Sequence, residues 1–157
     1  MEIALILAGV LAISRIYGEY LKRGVDELRE FCDFLRKLNL RAAAYLDVGT
    51  DFAKCEDFPS LVRVGFIDAL AGGGGFFEAY SACMPRLGIS NSDKRLLYDF
   101  FLEYGKSDMQ TEVRRTEQII GALQTKSEGA RLETEKKIKV FTSVSLALCL
   151  GVAILII

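Results

Sequence analysis

Apolar residues crowd both ends of the chain and recur every three or four positions between them. Leu21, Val25, Leu28, Cys32, Leu35, Ala42 and Leu46 follow that spacing, and Leu38 and Tyr45 broaden the stripe. Such a repeat puts one apolar face on a helix, so a long amphipathic helix is expected over about 16–46. The apolar run 3–13 lies directly before it and can continue the same helix. Gly18 and Gly24 weaken it locally, and Asp47-Val48-Gly49-Thr50 reads as its end. A turn or two can re-form over 52–55.

Pro59 and Ser60 open a short helix expected over 61–70, because proline is preorganised for a first helical turn. The four glycines 72–75 then read as a connection between helices. A phosphate-binding loop would need a preceding strand and a following Lys-Ser/Thr, and neither is present. An aromatic-rich helix over 76–82 stops at Pro85. Ser90 and Asp93 mark the start of the next helix, which carries Leu96, Leu97, Phe100, Phe101 and Tyr104 to a terminal Gly105. Ser107 with Gln110 reads as another capping box, and Asp108 adds negative charge at the positive end of the last helix.

From Asp108 onward nothing breaks a helix. Met109, Val113, Thr116, Ile120, Leu123, Ser127, Ala130 and Thr134 form a heptad-like seam rich in small and hydroxyl residues. One reading packs this seam on the long first helix. The other is a coiled coil with a partner, a homo-oligomer included.

The stretch 140–157 carries no charge and spans roughly 27 Å as a helix, enough for the hydrocarbon core of a bilayer. A buried core helix is the competing reading. The run 3–13 is shorter, and Ile16, Tyr17 and a snorkelling Arg15 extend it. Membrane insertion, an interfacial helix and a signal peptide all compete for it. Glu2, the missing Lys or Arg before the run and the lack of a cleavage pattern count against the last. Arg15, Lys22 and Arg23 follow the first apolar segment, and Lys136, Lys137 and Lys139 precede the second. The positive-inside rule then puts the middle in the cytoplasm and both ends across the membrane. The expected layout is a short membrane segment over 1–17, a cytoplasmic helical domain over 18–139 and a transmembrane segment over 140–157. The fold class is all-α, a helical bundle whose long first and last helices run into membrane segments.

Composition narrows the chemistry. The chain has 157 residues and no His, which removes His-dependent nucleophilic, acid–base and zinc sites. Twenty Lys and Arg balance 21 Asp and Glu, so no basic surface calls for a nucleic acid. Cys32, Cys55, Cys83 and Cys149 lack any C-x-x-C spacing and read as buried thiols of a reducing compartment. Glu19, Glu27, Glu30 and Asp47 are the acidic candidates for catalysis. Their helical spacing among Arg and Lys reads instead as a solvated face of i,i+4 pairs. No catalytic residue, cofactor or metal ligand is expected.

The order of these elements resembles the stage III sporulation protein AB family of spore-forming Firmicutes. Tyr104-Gly105-Lys106-Ser107-Asp108 stands where that family has Leu-Gly-x-x-Asp, and Phe100 at the Phe of its Phe-Gly. Ala130 and Lys139 also match in type, and the motif match covers 96–157. Phe101 departs from a family Gly and Glu112 from a family Gln. Ser145 and Cys149 fall where tail glycines are common, and 40–58 lacks the family's Glu-Ile and Thr-Pro-Leu elements. The family is related to the platform proteins of type II secretion and type IV pilus machines. The resemblance implies a membrane scaffold on the mother-cell side of a channel to the forespore, assembled with other stage III A proteins and a cytoplasmic secretion-type ATPase. Alternatives are an enzyme and a tail-anchored tethering or regulatory protein outside sporulation. Tyr104, Gly105, Ser107 and Asp108 form the candidate structural or docking corner.

Overall fold

The computed structural model describes residues 2–44 and 57–156, with the side chains of 2–8, 10, 11, 149 and 152–156 left undescribed. All its regular elements are helical. They are α1 (Glu2–Ala43), α2 (Pro59–Arg63), α3 (Phe66–Ala71), α4 (Phe76–Cys83), α5 (Asn91–Glu103) and α6 (Met109–Ile156), with a 3-10 turn at Met84–Arg86. The expected helix end at 47–50 and the turn at 52–55 lie outside the described residues.

The chain forms two compact units, residues 23–127 and the ends 1–22 with 128–157, and α1 and α6 contribute to both. In the first unit, the α1 stripe buries Leu28, Cys32, Leu35, Leu38 and Ala42 as its spacing predicts. Phe31 and Phe34 are buried too, at 0% exposure. They join Phe58, Phe66, Tyr80, Phe100 and Phe101 in an aromatic core. Phe34 lies edge-on to Phe66 with ring centroids 5.1 Å apart, an arrangement the ring quadrupoles favour. Phe101 contacts Phe100 and Tyr80, each at 5.2 Å.

The helix expected over 61–70 is two helices. Gly65 breaks it with φ +84, so the chain turns before Phe66 and seals both Leu61 and Phe66 into the core. Phe58 stands at the N-cap of α2, and its side chain has no oxygen with which to cap it. Glu30 of α1 caps it instead, accepting from the backbone N–H of Ser60 at 2.7 Å and of Leu61 at 3.0 Å. The glycines 72–75 form the α3–α4 connection, and Pro85 falls in the 3-10 turn that follows α4. Ser90 caps α5 as expected, its Oγ accepting from the Asp93 N–H at 3.2 Å.

The α6 seam faces α1. In the first unit the Cys32 thiol points to the Ile120 carbonyl at 3.7 Å, and Arg36 donates to Gln124 at 2.9 Å. In the paired ends, Tyr17 meets Phe141 at 4.9 Å and Ile138 packs beside Gly18. Thr116 and Leu123 are buried in the seam, whereas Met109 is exposed.

Candidate docking corner and basic flanks

Helix α5 ends at Glu103, Tyr104 is extended, and Gly105 takes φ +85. Nothing lies within 4 Å of where a Gly105 side chain would start, so the backbone angle rather than crowding asks for glycine. The α6 cap is Asp108, not Ser107. Its carboxylate oxygens accept from the Thr111 N–H at 3.3 and 3.4 Å. Helix α6 starts at Met109, which places Asp108 at the capping position and leaves Ser107 one residue too early. Gln110 is exposed.

Glu112 closes the corner. One carboxylate oxygen accepts from Gly105 N–H and Ser107 N–H, both at 3.1 Å. The side chain is buried, and its other oxygen has no hydrogen-bond partner among the described residues. Tyr104 packs on Phe76 and Phe100, each at 5.5 Å. Burial, then the neighbouring Glu112 charge, pushes its phenol up to about 12. The four expected corner residues are therefore organised by a fifth. In the sequence Glu112 stands out only as a departure from a family Gln, and its place one turn after Asp108 is the signal of its role.

The acidic candidates separate. Glu19 is exposed and pairs with Arg15 at 3.3 Å, as a solvated face would. Asp47 lies outside the described residues. Glu27 and Glu30 overturn the solvated reading. Glu30 caps α2. Glu27 has no exposed surface and accepts from Gly88 N–H at 2.6 Å and from the Arg63 guanidinium at 3.4 Å. Desolvation raises its pKa above the ordinary 4.5, against the pull of Gly88, Arg63 and Arg23. Gly24 makes this contact feasible, since a Cβ there would stand 2.7 Å from the Gly88 carbonyl oxygen. Cys32 and Cys83 are buried free thiols, with burial pushing them up to about 11 and about 12. Among the described residues no cluster could hold a metal ion.

All six basic flank residues are exposed. Arg23 belongs to the 23–127 unit. In the paired ends, Arg15 and Lys22 border a groove of about 440 Å³ with Glu19, Ile138 and Thr142. Lys136 and Lys137 border another of about 410 Å³ with Tyr17, Val140, Phe141 and Val144. Lys137 pairs with Glu133 at 2.7 Å, while Lys22, Lys136 and Lys139 form no ion pair among the described residues. Beyond the lysines, Val140, Val144, Leu146, Leu148 and Leu150 are all exposed, as are Ile13 and Ile16 of α1. Among the described residues no helix is long and apolar enough to cross a membrane. The side chains of 152–156, within the uncharged stretch, lie outside that description.

These features define a small all-helical protein with an aromatic core, a carboxylate-tied corner and apolar paired ends beside lysines. The chain belongs to the stage III sporulation protein AB family, whose model matches residues 73–157, and this gives it a role in stage III of sporulation. No curated protein and no solved structure matches it.

Proposed function

We propose that the chain is a non-enzymatic scaffold of a sporulation-specific, secretion-like channel between mother cell and forespore. Both ends anchor it in the mother-cell membrane, and its helical middle docks a cytoplasmic assembly ATPase among other stage III A proteins. The observation that carries the anchoring is the row of exposed aliphatic residues that begins immediately after Lys136, Lys137 and Lys139. Water penalises such a surface, and a bilayer interface beside cationic side chains accommodates it. The non-enzymatic part is supported by the carboxylates themselves. Glu27, Glu30 and Glu112 are all engaged by backbone N–H groups and serve the fold.

Two measurements test this. A reporter active only in the cytoplasm should be silent when fused after Ile157 and active when inserted between helices of the middle. Activity after Ile157 overturns the topology. Crosslinking from the 104–112 corner in sporulating cells should capture the ATPase or another stage III A protein. Capture of none of them, with an intact sporulation phenotype on deletion, overturns the scaffold.

A further inference from the structure

The two grooves flanking the paired ends differ in chemistry. The one beside Arg15 and Lys22 also contains the Glu19 carboxylate and the Thr142 hydroxyl. The other has two ammonium groups at one end and otherwise only Tyr17, Val140, Phe141 and Val144. Lys136, Val140 and Val144 are four residues apart, so they rise along one face of α6 at about 6 Å per step. Tyr17 and Phe141, 4.9 Å apart, form an aromatic wall. Val140 and Val144 remain 64% and 52% exposed, so the groove leaves apolar surface uncovered.

We propose that this groove binds one anionic phospholipid, with its phosphate at the Lys136 and Lys137 ammonium groups and an acyl chain along Val140, Phe141 and Val144. The proposal rests on the membrane reading above. Its force comes from the match of charge and shape. A ligand charged at one end and apolar beyond it fits a groove built the same way. A docking protein helix would meet an apolar ladder with charge at one end only. Lys136 has no acidic partner among the described residues. Lys137 has one in Glu133, but that pair is solvent-exposed and weak, so a phosphate can take its place. Glu19 lines the other groove itself and repels a phosphate there, whereas Glu133 is not part of the lining of this one.

The chain contains no Trp, so Tyr17→Trp in the full-length protein gives a single fluorescent reporter on the groove wall. The variant is reconstituted in phosphatidylcholine vesicles and titrated with brominated phosphatidylglycerol or brominated phosphatidylcholine. Phosphatidylglycerol should quench at lower mole fraction and saturate. Lys136→Gln with Lys137→Gln should weaken that preference by about fivefold per lysine removed, and Arg15→Gln with Lys22→Gln should leave it. Equal quenching by both lipids overturns the site while leaving the anchor standing. A failure to float with any vesicle overturns the anchor as well. Competition by soluble glycerol phosphate assigns the lysines to free phosphate and overturns the lipid. Loss of preference through Arg15 and Lys22 alone puts the site in the wrong groove.

Discussion

Glu27 is a carboxylate on a mid-helix position whose neighbours Arg23 and Arg63 argue for solvent, yet it has no exposed surface. Its folded pKa is raised, so the native state holds the proton more tightly than the unfolded chain. Its favourable contribution is therefore full below the ordinary 4.5 and is lost as pH rises through the folded value. Glu27→Gln removes this dependence. The stability of the variant relative to the native chain should improve between pH 4 and pH 7.5 in paired thermal melts. The opposite trend would mean that Arg63 and Gly88 outweigh desolvation. Glu112 poses a different test. Glu112→Gln keeps the oxygen that serves Gly105 and Ser107 and replaces one that has no partner among the described residues. Its effect should stay within about 1 kcal/mol, whereas Glu112→Ala orphans two backbone donors and should cost about 2 kcal/mol or more. Chemical denaturation of the three proteins separates them, and a costly Gln variant would show that the charge itself is needed at the α6 start.

Caps and crossings govern the elements. Asp108→Ala should cost about 1 kcal/mol, and Ser107→Ala close to nothing, because the Asp108 side chain, and not that of Ser107, accepts from the Thr111 N–H of α6. Equal losses in urea melts would restore the serine to the cap. Gly24→Ala looks mild on propensity, since alanine favours helix. Its Cβ would nevertheless sit 2.7 Å from Gly88 oxygen and lever the loop off Glu27, so it should destabilise. Much of this level was legible in the sequence. The α1 stripe, the Ser90 cap, the α3–α4 glycine connection and the α6 seam all follow from local periodicity and turn chemistry. The rest depended on contacts far along the chain. Glu30 caps a helix thirty residues away, Glu27 meets Gly88 across 61 residues, and local spacing carries no trace of either. The Gly65 break is hidden because the largely apolar stretch 61–70 gives no sign of the left-handed residue within it. The corner was found by its motif, but which residue ties it together required Glu112 in three dimensions.

At the scale of the molecule, the family match and the core have different boundaries. The matched region starts at residue 73, but Phe76, Tyr80, Phe100 and Phe101 pack against residues before it. Phe101 lies 5.8 Å from Phe66 and 6.4 Å from Phe31, and Phe76 lies 6.1 Å from Phe34. Each buried Phe contributes about 1.5–3 kcal/mol, so losing Phe31, Phe34, Phe58 and Phe66 together removes an amount comparable to the 5–15 kcal/mol that holds a typical domain folded. A fragment of residues 73–157 should therefore keep helical circular dichroism, supplied by α6, but lose the cooperative melt of the full chain. It should also bind a hydrophobic dye through its uncovered aromatic face. The 23–127 unit, which keeps all these rings together, should melt cooperatively on its own. The two fragments are compared in the same buffer by thermal circular dichroism and near-ultraviolet spectra of the tyrosines. A cooperative transition in 73–157 matching the full chain would show that the helices before it cover the core without being needed to build it.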